Sequence, residues 1–503
     1  AITTVKQTLP GSIRPFMSET VKSTNGSDYR NWELAAKSEY RFELEANTSL
    51  AIRLTSGTAE VYGAELAPGR LYLFGGEFTW LNGLSCLYLC SSHVTGRPST
   101  EYTSDETPMV PLINIHTAFE QMRILAHRTL TANQLETAKS RPPRVLVLGP
   151  ENSGKTSACK IWCNYAIRGR SWCPTLINLD VSDGGWTIPG TVSACPLSSA
   201  IPTCTPANPF GATATSAPTA LSSSALLPVV HWFGHTDAKR NQQLIERLIR
   251  TLASSVKQKF QQDHTLNASG FIIDTPAAFS TSNAQGDSKY NLIKICVEAF
   301  DVNTILIMGH DKLSVELQRV FGGSEGITVL KVPKSGGVVE LDYAYQTRVV
   351  ASQIRAYFYG TPLYLPPSMN PATAQLGGEA TTETTLSPFS VTLNANDLQI
   401  YRIGSSVLVP SSALPIGATR AIGEIQPVRV DVESGGILHS VLALLAPFDS
   451  SPSDEMLLQQ EVTGFLIVTA IDMPRRKITV LAPSQGSLVG RTALIGSLEW
   501  QDR

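Results

Sequence analysis

Between Trp32 and about Ser92 the chain runs in short stretches where apolar and polar residues alternate, such as Tyr40-Arg41-Phe42-Glu43-Leu44, Leu50-Ala51-Ile52-Arg53-Leu54 and Leu71-Tyr72-Leu73-Phe74. Gly, Asn and Pro turns separate them, and this period-two spacing predicts a small β-sandwich. The first thirty residues are polar and broken by Pro10, Gly11 and Pro15, which predicts a flexible arm. From Thr117 to Glu136 the apolar residues Phe119, Met122, Leu125 and Leu130 recur at helical spacing and predict a connecting helix.

The middle of the chain then alternates strands with helices. Arg144–Leu148, Thr175–Asp180, Gly270–Asp274, Thr304–Met308 and Thr328–Lys331 read as strands. A segment beginning near Ser157, Asn241–Gln262 and Tyr290–Phe300 read as helices, so a parallel sheet with crossover helices is predicted. Two stretches depart from this pattern. Residues 196–228 are Ser, Thr, Ala and Pro with almost no charge, predicting a surface insert, and 363–388 reads as a linker. Beyond it, Gln399–Ile403, Gly464–Val468 and Lys477–Leu481 predict a strand-rich third domain. The predicted order is an arm (1–30), a β-sandwich (31–110), a central α/β domain (111–362), the linker and a mixed C-terminal domain (389–503).

Composition narrows the function classes. At 503 residues with 42% apolar content the chain can fill about three cores, and its net charge of −2 gives no overall basic field, so any RNA contact is expected to be local, and weak or indirect. The eight cysteines form no C-x-x-C pair, and Cys159 and Cys163 read as buried thiols in a reducing compartment. With no charged-then-apolar leading segment and no apolar run approaching about 18 residues, the expectation is a soluble intracellular protein without a membrane contact.

The chemistry is concentrated at Gly149-Pro150-Glu151-Asn152-Ser153-Gly154-Lys155-Thr156, which fits the phosphate-loop pattern G-x-x-x-x-G-K-[ST] directly after an apolar strand and before a helix. Backbone amides from Gly149 to Ser157, with Asn152, Ser153 and Gly154 in the turn, are expected to surround the phosphates of a nucleoside triphosphate. Lys155 is expected to reach the β- and γ-phosphates and Thr156 to ligate Mg²⁺. Asp180, closing the strand Leu176–Leu179, is the expected second carboxylate for that metal. His231 and His235 stand four apart without a third ligand and read as packing residues rather than a metal site. Trp162 and Trp172 read as core, and Lys331 and Lys334 as solvated.

Gly149–Ser157, Leu179-Asp180-Val181, Ile188-Pro189-Gly190-Thr191, Phe233-Gly234-His235-Thr236 and Val332-Pro333-Lys334-Ser335-Gly336-Gly337-Val338-Val339-Glu340 together resemble the family of RNA 5′-hydroxyl polynucleotide kinases and their relatives. Within it the likeness is to the Clp-type subunit of the messenger RNA cleavage and polyadenylation machinery, in a divergent, fungal-like form. The likeness extends into the first domain through Ala59–Leu66 and into the third through Ile400–Gly404 and Gly464–Thr469. The resemblance implies a central P-loop NTPase domain flanked by a β-sandwich and a mixed domain. It further implies ATP and Mg²⁺ held between the first two domains, with Glu39 on the adenine side, and nuclear location within cleavage factor IA, docked chiefly on that factor's scaffold subunit.

Several positions depart from what the resemblance implies for an active kinase. Asp180 is followed by Val181-Ser182-Asp183 instead of Val-Gly-Gln. Ala278 stands where an aromatic would seat the RNA acceptor, and Gln243 where a lysine is expected. The lysine expected before Thr79-Trp80 is absent, and Arg348 and Arg355 are the nearest cations downstream of Glu340. Losing the aromatic platform removes about 1–3 kcal/mol of base stacking. Losing cations leaves transition-state charge less stabilised by several kcal/mol each. The expectation is therefore a nucleotide-binding scaffold that uses ATP poorly, the alternative being an active ATP-dependent RNA 5′-hydroxyl kinase.

Overall fold

A computed structural model gives the structure of the protein and describes residues 19–22, 28–32, 34–44, 48–76, 80–86, 90–94, 100–132, 137, 140–201, 210, 228–281, 290–324, 326–338, 340–361, 384–403, 426–430, 436–448 and 451–501. The N-terminal strands are β1 (Glu19–Lys22), β2 (Asp28–Trp32), β3 (Ser38–Glu43), β4 (Thr48–Leu54), β5 (Ala59–Val61), β6 (Ala64–Glu65), β7 (Leu71–Gly76), β8 (Trp80–Cys86), β9 (Cys90–Val94) and β10 (Thr100–Ser104). They form two five-stranded sheets, ordered β1-β2-β9-β4-β7 and β10-β3-β8-β5-β6. Leu50, Ile52 and Leu54 of one sheet pack against Tyr40, Phe42 and Val61 of the other, with Phe42 edge-on to Phe74 at 5.8 Å. This is the predicted sandwich, but it begins earlier than predicted: β1 and most of β2 lie in the segment read as an arm. An edge strand is held by backbone pairing, here Glu19 opposite Asn31 through Lys22 opposite Asp28, which polar composition does not forbid.

Helix α1 (Met109–Thr131) starts eight positions before the expected Thr117, because Pro111 sits in the first turn, where the missing N–H breaks no helical bond. It bridges the first two domains. Trp162 Nε1 donates to Leu112 O at 3.1 Å, and the fully buried Arg123 donates from Nε to Ser269 O at 3.0 Å.

The central domain is built from β11 (Arg144–Leu148), α2 (Lys155–Arg170), β12 (Thr175–Asn178), β13 (Thr191–Pro196), β14 (Val229–Trp232), α3 (Gln242–Gln262), α4 (His264–Ser269), β15 (Phe271–Asp274), α5 (Asn291–Phe300), β16 (Thr304–Met308), α6 (Asp311–Phe321), β17 (Thr328–Val332) and α7 (Tyr343–Tyr359). The seven strands are ordered β14-β13-β12-β15-β11-β16-β17. Five are parallel as predicted, and the unpredicted β13 and β14 extend the sheet antiparallel. β13 reads Thr-Val-Ser-Ala-Cys-Pro, and its small polar residues are buried, so neither alternation nor an apolar run marks it. The insert is also not wholly on the surface: Leu197, Ile201 and Phe210 are buried, and Phe210 lies 5.0 Å from the Trp186 ring, whose Nε1 donates to Phe210 O. Residues 202–209 and 211–227 of the insert fall outside the described ones.

Strands β18 (Gly360–Thr361) and β19 (Thr384–Thr385) pair across the predicted linker, whose residues 363–383 are outside the described set. The third domain comprises β20 (Phe389–Asn394), β21 (Leu398–Arg402), β22 (Val428–Arg429), β23 (Ser440–Leu445), α8 (Asp454–Gln459), β24 (Val462–Asp472), β25 (Lys477–Ala482) and β26 (Arg491–Glu499), with sheet order β20-β25-β24-β23-β26-β21-β22.

One face of this sheet joins the core of the central domain. Phe465 sits 5.7 Å from Trp232 and 5.3 Å from Tyr357, whose hydroxyl accepts from Phe465 N. Gly190 O accepts from both Phe233 N and Gly234 N, and Gly234 O accepts from Ser497 N at 2.8 Å. His235 Nδ1 meets Ser497 Oγ at 2.7 Å, and His231 Nδ1 faces Gln460 O at 3.4 Å. The two histidines are thus packing residues at the domain junction.

Burial lowers both imidazoles from 6.5 to about 4, with Arg240 adding to the effect at His235. The unfolded chain takes up these protons below about 6.5 and the folded chain only near 4, so their stability contribution is complete above pH 6.5 and is lost as pH falls towards 4. For the nearly fully buried His231 this amounts to about 3 kcal/mol. Thermal melts at pH 7.5, 6 and 5 should show a falling Tm, and His231→Gln should flatten that slope.

Candidate nucleotide site

β11 delivers the chain to a turn in which Asn152 (φ 51°) and Gly154 (φ 84°) take left-handed conformations. Gly154 is the residue before α2, and a Cβ there would also stand 3.3 Å from Val338 Cγ2, so both backbone and space call for glycine. Lys155 is buried, and its Nζ donates to Pro150 O at 2.8 Å, as does Ser153 Oγ at 2.9 Å. Gly149 N donates to Ser280 Oγ at 3.0 Å. The loop is thus braced by its own groups and by Ser280, with the N-terminus of α2 facing the turn.

Thr156 Oγ1 donates to Asp274 Oδ2 at 2.5 Å. The acid that meets Thr156 is therefore Asp274, at the end of β15, and not the expected Asp180. The reason is sheet order: β15 lies beside β11, whereas β12 is one strand further out. Asp180 Oδ1 accepts from Ser182 N and Oγ at 3.0 and 2.6 Å, but Asp180 remains close enough to act electrostatically on Asp274. Phe271-Ile272-Ile273-Asp274 is the same strand-then-acid pattern as Leu176–Asp180, so the sequence held the signal without the strand order needed to choose.

Burial raises Asp274 to about 7 against the lowering effects of Lys155 and Thr156, with Asp180 and Asp183 raising it further. Its Oδ1 is buried with no hydrogen-bond partner among the described residues. A hydroxyl and a buried carboxylate with an unsatisfied oxygen are an all-oxygen donor set that fits Mg²⁺. Because Asp274 has a folded pKa above its ordinary 3.8, its ionisation destabilises the metal-free fold as pH rises from about 4 to 7. Asp274→Asn should accordingly raise the metal-free Tm at pH 8 while weakening the Mg²⁺ dependence of nucleotide binding, measured by melts and titration calorimetry with and without Mg²⁺.

Beside the loop opens a cleft with about 650 Å³ of free space including its mouth, lined by Ser153, Gly154 and Ser157 on one side, Gly337 and Val338 on another, and Glu39 and Glu60 of the sandwich. Glu39 thus lines the cleft between the first two domains. Its carboxylate is engaged there: Oε2 accepts from Arg41 Nε and Nη2 at 3.0 and 2.8 Å, and Oε1 from Thr107 Oγ1 at 2.7 Å. Arg41 in turn packs on Gly337, where a Cβ would stand 2.9 Å from Nε. Glu60 was not singled out from the sequence. Alternation in β5 marks it, since Ala59 and Val61 face the sandwich core and Glu60 faces the other way, towards α2.

The acceptor side is held differently. Ala278 lies half-buried in a short turn, Ala277–Phe279, against the core. Gln243 is exposed on α3, and the Arg355 guanidinium sits over the Tyr359 ring at 5.9 Å. Asp183 Oδ1 accepts from Gln353 Nε2 at 3.0 Å, tying the loop after β12 to α7. Lys331 is paired with Asp311. Trp162 is core as expected, but Trp172 is only half-buried and donates to Glu120 at 2.8 Å. Cys159 and Cys163 are buried free thiols. Among the described residues no helix is long and apolar enough to cross a membrane, and no cluster of three His, Cys, Asp or Glu forms a metal centre.

Residues 149–360 match the family described as mRNA cleavage and polyadenylation factor CLP1 P-loop, residues 386–502 the Pre-mRNA cleavage complex II protein Clp1 family, and residues 33–126 the N-terminal beta-sandwich domain of polyadenylation factor. The chain is 50% identical over 499 residues to the mRNA cleavage and polyadenylation factor CLP1 of Laccaria bicolor, covering 96% of this chain and 100% of that one. The chain belongs to the CLP1 family. Within that family it is also 30% identical over 496 residues to Protein CLP1 homolog of Arabidopsis thaliana, covering 98% of each chain. The CLP1 fold is shared with the solved structure of a wild-type Clp1p–Pcf11p complex, at a TM-score of 0.76 and 24% identity over 94% of this chain and 99% of that one.

Proposed function

We propose that the protein is an ATP-binding, non-catalytic scaffold subunit of the nuclear mRNA 3′-end cleavage and polyadenylation complex. The observation that carries this reading is a complete phosphate cradle, Gly149 to Ser157 with Lys155 and the Thr156–Asp274 pair, opening into a cleft shared with the sandwich. Thr156 and Asp274 would hold Mg²⁺ there, and the ion would offset the charge of the phosphates. Lys155 would reach the β- and γ-phosphates, with Ser157 in the phosphate loop and Glu39 on the adenine side.

The scaffold half of the reading rests on the acceptor side. At Ala278 a methyl group replaces the aromatic platform, and Arg355 is directed onto Tyr359. The Clp1p of the shared fold is described in complex with Pcf11p, and ATP loss is described for a point mutant of it. A partner equivalent to Pcf11p is the expected scaffold neighbour within cleavage factor IA, with RNA contact local and weak. ATP then acts as a ligand of the native state that stabilises the joint between sandwich and central domain.

Purified protein should retain ATP through long incubation with Mg²⁺ and transfer no more than traces of labelled γ-phosphate to a 5′-hydroxyl oligoribonucleotide. Brisk transfer would establish the kinase instead, and protein that neither carries nor takes up nucleotide would remove the reading altogether.

A further inference from the structure

The cleft is lined on the phosphate-loop side by Ser153, Gly154 and the first turn of α2, and the sandwich contributes two glutamates, Glu39 and Glu60. Glu39 is saturated by Arg41 and Thr107. Glu60 is not: Oε1 accepts from Tyr165 OH at 2.5 Å, Oε2 has no hydrogen-bond partner among the described residues, and the residue lines the cleft. We propose that Glu60 is a specificity-determining residue of the nucleotide site, whose Oε2 accepts a hydrogen bond from a donor on the nucleoside half of the bound triphosphate. This rests on the reading of the cleft as an ATP site.

The helix acts as a ruler for the placement. Ser157, Ile161 and Tyr165 follow one another at four-residue steps on α2, so Tyr165 stands about 12 Å beyond Ser157, the reach of a nucleoside past its α-phosphate. A carboxylate at that distance repels phosphate and suits hydroxyl or amino donors. Tyr165 occupies the other oxygen, and the Tyr165 ring is itself packed on His116 at 5.3 Å. Burial also holds the Glu60 carboxyl above its ordinary range, with Tyr165 opposing the shift and Glu65 adding to it, as expected of an acceptor with too few donors. The donor is a ribose hydroxyl or an exocyclic amino group, and the two are separable by analogue.

The test measures binding of ATP, 2′-deoxy-ATP, 3′-deoxy-ATP and purine riboside triphosphate, which lacks the 6-amino group, to the full chain by calorimetry. Tyr165→Phe alone keeps Glu60 in the wall. Glu60→Leu with Tyr165→Phe removes both partners of the buried bond together, which limits the structural cost, and Glu60→Gln serves as a second variant that keeps the Tyr165 bond. Wild type and Tyr165→Phe should bind at least one analogue about tenfold more weakly than ATP, and both Glu60 variants should narrow that ratio to under about threefold. Loss at either deoxy analogue assigns the ribose, and loss at the purine analogue assigns the amino group. Glu60 variants that keep every wild-type ratio, or a wild type that does not discriminate among the four, would overturn the inference while leaving the ATP site intact. A wild type that binds none of them instead overturns the proposed function.

Discussion

Lys155→Ala is expected to lower ATP affinity by at least about 100-fold while leaving the fold intact. The ammonium is the one cation in the wall that the phosphate loop builds, and it is already desolvated, so its charge acts at short range on the phosphates. Charge-assisted bonds of this kind contribute about 1.5–3 kcal/mol each, and the lysine is placed to make more than one. In the free protein its ammonium donates to Pro150 O, an oxygen that Ser153 Oγ also satisfies. Titration calorimetry reads the affinity directly. In parallel, saturating ATP at about 1,000 times Kd should stabilise the wild type by about 4 kcal/mol and the variant hardly at all. Binding within threefold of wild type would mean that the amide nest alone holds the nucleotide.

The largest stability effect is expected far from the nucleotide, at Gly496. A Cβ on this residue of β26 would stand 2.1 Å from Gly234 O and 2.4 Å from Gly234 Cα. These are backbone atoms on both sides, and Gly234 is itself held by Gly190 O, so neither segment can give way locally. Gly496→Ala must therefore part the central and C-terminal domains, losing the Ser497 N to Gly234 O bond and loosening Phe465 from Trp232 and Tyr357. A cost of at least about 3 kcal/mol follows from overpacking combined with a broken buried bond. Thermal melts should show a Tm lower by several degrees, together with faster proteolysis at the junction. Gly486→Ala, with open space around it, is the matched control and should leave both unchanged.

The contrast between these two positions also marks what the sequence could disclose. The phosphate loop was legible because strand, turn and helix are contiguous, and its chemistry follows from local backbone. The sandwich and the parallel strands were legible from periodicity. Asp274 was not distinguished from Asp180, because the choice depends on which strand lies beside β11, and strand order is a tertiary fact. β13 escaped notice because its buried face is made of small polar residues, and β1 because edge pairing is indifferent to side chains. Phe210 and Ile201 looked like loop residues in a Ser, Thr and Ala background, yet single apolar residues can anchor a loop to the core. Glu39 was reached through family likeness. Its partners Arg41 and Thr107, and the neighbouring Glu60, required the sandwich to be docked on the central domain. Gly190 and Phe233-Gly234-His235, which carried part of that likeness, are joined to one another and to β26 through backbone bonds and the His235–Ser497 side-chain contact.

That joint has a consequence for how the chain matures during synthesis. His235 and Ser497 are 262 positions apart, and Val441, Phe465 and Leu494 complete a core that α3 and β14 begin. A nascent chain that has emerged only as far as α7 therefore presents Trp232, Phe233 and Tyr357 without their cover. This greasy surface stays open until β26 has been made, an interval in which chaperone capture or early assembly competes with folding.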